Sequence, residues 1–235
     1  MSEPLRIALV AEGPTDKIVI GAAIGYLLGS RPFILRQLQP EESLAFNLLS
    51  GGWRGVYHWC RQAVGRSGGA IRHDPLFVTF DLLILHLDAD VAGGCYADAG
   101  IVEQINDLPC AQPCPPPSHT TDALRAVLLR WVGEPDVPPK TILCTPSKNI
   151  EAWVLSSLYP RDPVVISGNL ECYPTPKLQL QAKPAQGRLV ASEKKIRRMY
   201  SQRAPEVSAA WPQVRAGCTE AERFSLEFEA RVQPA

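Results

Sequence analysis

The chain has 235 residues, 46% apolar and 20% charged, a globular balance that excludes general disorder and can bury a core without staples. At about 150 residues per domain, it predicts one large domain or one domain with an appendage. Its 24 Lys and Arg offset 24 Asp and Glu, which excludes attachment to nucleic acid by bulk charge but leaves room for a local basic patch.

In chain order, Leu5–Ala11 (LRIALVA) is a continuous apolar run before Glu-Gly-Pro and predicts a buried strand with a sharp exit. Thr15 is placed to cap a helix running to about Leu28, before Gly29. Ile18–Gly29 is the longest apolar stretch, about 12 residues against the roughly 20 that span a bilayer. The opening MSEPLRIALVAEG lacks a basic segment followed by an apolar one. Neither a membrane span nor a leader is expected.

Phe33–Leu38 predicts a weaker strand. Trp53–Val64 predicts a helix between Gly51-Gly52 and Gly68-Gly69, with Trp53, Tyr57 and Cys60 packing in a core rather than stacking on bases. Leu82–Leu87 (LLILHL) is the strongest strand and leads into Asp-Ala-Asp; His86 within it reads as a packed histidine. Ala97–Asp107 predicts a helix, Leu108–His119 a Pro-rich loop, and Thr121–Val132 an amphipathic helix. Lys140–Cys144 predicts a strand, and Ser147 is expected to cap a helix running through Leu158. Asp162–Pro184 is loop-rich, and Ala191–Val232 predicts helices separated near Pro205 and Gly217.

Strands alternating with helices predict an α/β fold with a mostly parallel sheet flanked by helices. The expected division is a core over 1–160 and a helical appendage over 161–235. Seven scattered cysteines fit a reduced, cytoplasmic chain, with Cys144, Cys172 and Cys218 packing. Cys110, Cys114 and His119 lack the second pair a zinc knuckle needs.

Functional groups in open α/β sheets collect at the carboxyl ends of strands. Glu12 follows the first predicted strand and Asp88 and Asp90 follow the strongest. Glu151 lies early in the helix after Lys140–Cys144, and Asp16 in the first turn of the first helix, where a charge set against the helix dipole is the simpler account. Clustered carboxylates repel unless a cation neutralises them, and hard oxygen ligands suit Mg²⁺ or Mn²⁺. Such ions can activate water in a phosphodiester displacement. Asp-x-Asp also occurs in glycosyltransferases and in dehalogenase-type phosphatases, but 80 residues of α/β pattern and Glu12 precede it here.

VAEGPTD (10–16) followed by LLILHLDAD (82–90) resembles a Toprim domain, and the Glu-Gly form resembles OLD-family and RloB-like Toprim proteins of bacterial defence. SKNIEAW (147–153) supplies the further acid expected downstream. The resemblance implies Glu12 as general acid/base or metal ligand, and Asp88 and Asp90 as metal ligands. It implies Asp16 and Glu151 at a second metal position, with Lys148, Lys194 or Lys195 near the scissile phosphate. It implies a metal-dependent nuclease, DNA favoured over structured RNA, with a role in defence. No G-x-x-x-x-G-K-[ST] is present, so ATP-driven activity would require a partner ATPase. The alternatives are a non-catalytic metal-binding Toprim subunit and, behind it, a phosphatase using Asp88.

Lys183–Arg203 carries Lys183, Arg188, Lys194, Lys195, Arg197, Arg198 and Arg203 against Glu193 alone. Lys194, Lys195, Arg197 and Arg198 are the candidates for holding nucleic-acid phosphates. The competing reading is a solvated helix face paired with Glu220, Glu222, Glu227 and Glu229.

Overall fold

A computed structural model describes residues 3–40, 51–102 and 105–232. The elements are β1 (Leu5–Val10), α1 (Pro14–Leu28), β2 (Phe33–Gln39), α2 (Trp53–Arg66), α3 (Leu76–Thr79), β3 (Leu82–His86), α4 (Ser118–Trp131) and β4 (Thr141–Cys144). They continue as α5 (Glu151–Leu158), α6 (Pro163–Ile166), α7 (Pro176–Gln181), β5 (Val190–Ala191), β6 (Lys194–Lys195), α8 (Arg197–Ala209), α9 (Trp211–Gly217) and α10 (Thr219–Val232).

The fold is α/β. β1 to β4 form a parallel sheet in the order β2-β1-β3-β4, and β5 and β6 form a short antiparallel ribbon. Parallel strands covered on both faces need apolar side chains on both pleats, hence the unbroken runs in β1 and β3. The runs divide by alternation. Ile7, Leu9, Leu82 and Ile84 face α1, α5 and the C-terminal helices; Ala8, Val10, Leu83 and Leu85 face α2 and α4. From β1 the chain pairs outward to β2, then crosses back to place β3 on the other side. The order therefore reverses between β1 and β3, the place where an open sheet leaves a crevice at its carboxyl edge.

The C-terminal helices are tied into the sheet. Tyr200, Val207, Trp211, Phe224 and Phe228 are buried in one hydrophobic cluster with Ile7, Leu9, Ile20 and Trp153. The Trp153 and Trp211 rings meet edge-on at 5.6 Å, and α1 packs along α8. On the opposite face Trp53, Tyr57, Tyr96 and Trp131 form an aromatic cluster, with Tyr57, Tyr96 and Trp131 buried and Trp53 packed against them.

Several local expectations are corrected. Residues 97–102 and 105–107 form turns and loop instead of a helix; 103 and 104 lie outside the described residues. Gly100 at φ +67° interrupts any helical path there, and Ile101 N–H turns back to the Tyr96 carbonyl. Thr15 is not the cap: Gly13 is, and Pro14 opens α1. Ser147 does not cap α5, because its hydroxyl donates to the Glu171 carbonyl at 2.5 Å. Lys148 at φ +61° delays the helix to Glu151. Pro205 lies inside α8; the break falls at Ala210, where Pro212 starts α9. Cys172 is joined to Cys114 in a disulfide, with Cα atoms 5.4 Å apart, contrary to a fully reduced chain. The acidic residues of α10 pair elsewhere than with 183–203: Glu222 and Glu229 with Arg215, and Glu227 with Arg125.

Gly133 ends α4 at φ +71°, and a Cβ there would lie 1.9 Å from the Gly69 carbonyl oxygen. Gly133→Ala combines a backbone conformation poor for alanine with a clash against main chain. It is expected to lower stability by about 3 kcal/mol in urea unfolding. A loss under about 1 kcal/mol would show that the two turns can separate freely.

Candidate metal centre

The centre sits at the carboxyl edge of the sheet, where β1 and β3 diverge from the reversal in strand order. Glu12 leaves β1 and Asp88 leaves β3, and the parallel register puts both at the same end. They are joined directly: the Asp88 N–H donates to Glu12 Oε1 at 2.7 Å. The main chain fixes the other side of Glu12, whose carbonyl accepts the Gly52 N–H at 2.7 Å.

After β3 the chain continues to pair with the β4–α5 loop. Ala89 N–H donates to the Pro146 carbonyl and Asp90 N–H to the Lys148 carbonyl. Asp88 Oδ1 accepts the Ile150 N–H at 3.0 Å, and Asn149 Nδ2 lies 3.4 Å from Asp90 Oδ2. Loop 146–150 thus aims both carboxylates of the Asp-x-Asp and starts α5, whose first residue is the fully buried Glu151.

Asp16 enters from α1. Its Oδ2 accepts the Gly13 N–H at 2.8 Å, a carboxylate three residues into a helix reaching back to the cap. The dipole role expected for it is therefore present, and the carboxylate also faces the centre. The ribbon β5–β6 brings Lys195 across from the C-terminal segment. Its Nζ lies 3.2 Å from Asp16 Oδ1 and 2.8 Å from Glu151 Oε1, an oxygen that also accepts the Tyr200 hydroxyl at 2.9 Å.

These groups line a cavity of about 360 Å³, together with Thr15, Gly52, Asn149, Lys177 and Arg197. All five predicted acids converge on it. Of the lysine candidates, Lys195 makes the contacts; Lys148 contributes its carbonyl and is not among the lining residues, and Lys194 is exposed outside it. Of the basic candidates, Lys195 and Arg197 line the cavity, while Arg198 is exposed outside it.

Electrostatics divides the acids into two groups. Asp16 and Glu151 share the Lys195 ammonium. Burial pulls that amine down, but Glu151, Asp16 and Asp88 outweigh it and hold it well above its usual range. Burial raises Glu151, and Lys195 opposes the rise. Among the described residues, Glu12, Asp88 and Asp90 share no lysine in this way. Glu12 is held well above the usual carboxylate range by burial, then by the charges of Asp88, Asp16 and Asp90. Asp90 is pushed up to about 7 by dehydration and then by Asp88, with Asn149 opposing. At the 4.8 Å within which Glu12 and Asp88 oxygens lie, like charges repel by about 3 kcal/mol at an effective dielectric constant of about 20. A cation held between them would turn that repulsion into attraction, and these residues could hold a metal ion. Glu151 Oε2 is buried without a hydrogen-bond partner, which also fits a cation at this centre.

Two contributions were not anticipated. Gly52, read as punctuation, holds the Glu12 main chain and lines the cavity, and Lys177 reaches it from α7. His86, expected to be a packed histidine, is fully buried but sits beneath the acids, with Nε2 3.3 Å from Asp88 Oδ1 and Nδ1 3.9 Å from Asp16 Oδ2. The sequence signal was its position two residues before Asp88, on the same side of the pleat.

No described helix is long and apolar enough to cross a membrane. Compared with protein-family models, curated proteins and solved structures, the chain matches none.

Proposed function

We infer that the chain is a Toprim-type, divalent-metal-dependent hydrolase of phosphodiester bonds, with DNA the favoured substrate. The observation that carries this reading is the convergence of five carboxylates from three adjacent strand ends and α1 on one cavity, with three cationic side chains on its wall. Acids at this density serve to hold a cation, and the cations beside them fit a polyanionic substrate.

Glu12, Asp88 and Asp90 would hold the metal. When bound, it supplies Lewis-acid stabilisation of the charge that develops on a phosphoryl oxygen. Glu12, held well above the usual carboxylate range by burial and then by its acidic neighbours, suits general acid–base work. Lys195 stays charged and fixed between Asp16 and Glu151, directed at the cavity where a phosphate would lie. Lys177 and Arg197 extend the positive wall and orient the backbone of the substrate.

The test is incubation of the purified protein with supercoiled and linear duplex, single-stranded DNA and structured RNA, each with Mg²⁺, Mn²⁺ or chelator. Cleavage is expected to need the cation. Glu12→Gln and Asp88→Asn are each expected to slow it by at least about 10²–10³-fold while leaving the fold intact by circular dichroism. A folded, metal-binding protein that cleaves none of these would overturn the catalytic reading in favour of a metal-binding subunit.

A further inference from the structure

The acids alone describe a hard oxygen site, to which Mg²⁺ and Mn²⁺ are both acceptable. His86 changes that description. It is the last residue of β3, it is fully buried, and neither ring nitrogen makes a hydrogen bond. A buried imidazole without a well-formed hydrogen bond is costly, and a ligand on one of its nitrogens would offset that cost. One nitrogen of His86 and carboxylate oxygens of Glu12 and Asp88 all lie within 4.8 Å of one another. Nε2 is turned toward Asp88 at 3.3 Å, and Nδ1 toward Asp16 at 3.9 Å. The two ring nitrogens thus face carboxylates from two different elements, the exit of β3 and α1. A metal-ligating histidine backed by an acid has this arrangement.

We propose that His86 is a direct metal ligand, completing a Glu12–His86–Asp88 site whose nitrogen selects Mn²⁺ over Mg²⁺. Imidazole suits the transition metals and is a poor partner for Mg²⁺, which keeps to oxygen. Asp16 acts as a positioning residue that orients the ring. With Asp16 and Glu151 already bridged by Lys195, the selective ion is the one at the β1–β3 crevice. The inference rests on the metal-dependent reading above but not on any cleavage activity.

The test loads the full-length protein with Mn²⁺ alone and records electron spin-echo modulation of the bound ion. A directly bound nitrogen is expected in the wild type and should vanish in His86→Gln. Titration should show that His86→Gln reduces the preference for Mn²⁺ over Mg²⁺ by about tenfold or more, whereas Asp16→Asn should keep the nitrogen signal with weaker binding. Mn²⁺ bound in a manner that Asp88→Asn abolishes, yet without nitrogen coupling, would overturn the assignment of His86 and leave the metal centre standing. Nitrogen coupling that persists in His86→Gln would overturn it equally. No binding of Mn²⁺ or Mg²⁺ by the wild type would overturn both this assignment and the metal-dependent reading. Whether any nitrogen is bound is read on the wild type alone, and the variant, checked for folding by circular dichroism, assigns that nitrogen to His86.

Discussion

Replacing Lys195 with methionine is expected to cost about 3–5 kcal/mol of stability at about pH 8, because Asp16 and Glu151 would remain buried without their shared cation. That is a large share of the roughly 5–15 kcal/mol that separates folded from unfolded domains. The lysine is only partly exposed and both acids are buried, so the pair does not belong with surface salt bridges, which contribute about 1 kcal/mol or less. Denaturant unfolding of metal-free protein measures the loss. Adding Glu151→Gln to Lys195→Met should recover part of it, since the amide keeps a partner for the Tyr200 hydroxyl without a charge. A single-variant loss under about 1 kcal/mol would show that water reaches both acids and that they need no internal cation.

The second large effect concerns pH. Glu12, Asp90, Glu151, Glu171 and Glu220 are all raised, with burial the leading cause in each. A carboxyl raised in the folded state binds its proton more readily there than in the unfolded chain. It therefore adds stability on acidification and loses it as pH rises through the folded value. His86 acts in the same sense: burial lowers it, but Asp88 and Asp16 bring it above its ordinary value. Glu134 and Asp162 oppose burial with hydrogen bonds from Arg72 and Lys183, end below the usual range, and withdraw stability only when the medium becomes strongly acidic.

Metal-free protein should therefore melt at a higher temperature at about pH 5.5 than at about pH 8, with the Asp90 contribution lost as pH rises through about 7. Saturating Mn²⁺ should reverse the trend, because the ion binds the ionised carboxylates. Thermal unfolding across that range, with and without the ion, decides the matter. A metal-free profile that is flat or falls on acidification would show that the acids are already neutralised within the chain.

The parts of the fold that were legible in the sequence are those where one local rule acts alone. The apolar runs of β1 and β3 can only be strands buried on both faces, and the polar residues ending them had to lie at one sheet edge once the strands were parallel. Glu12, Asp88 and Asp90 followed from that. What was not legible depends on partners distant in sequence. Ser147 has the chemistry of a cap, but Glu171 claims its hydroxyl. Cys114 and Cys172 are 58 residues apart, and only the packing of the Pro-rich loop on the 170–172 turn brings them together. His86 looks like any polar residue in a strand until Asp16 from α1 is placed beside it. Lys195 was one of several equivalent cations until the β5–β6 ribbon aimed it inward. The break assigned to Pro205 failed because Pro212, at the start of α9, sets the boundary instead.

The dependence of the centre on Lys195 orders events during synthesis. The chain emerges from the ribosome with Glu12, Asp16, Asp88, Asp90 and Glu151 all present before Lys195 and Tyr200 are made. The residues that seal that face of the sheet, Trp211, Phe224 and Phe228, come later still. A nascent chain therefore holds a complete set of acids in a half-built wall, mutually repelling and open to water. The centre closes only when the C-terminal helices dock and deliver the lysine. On the reading proposed above, activity at this centre would be withheld from unfinished chains by the order of translation itself.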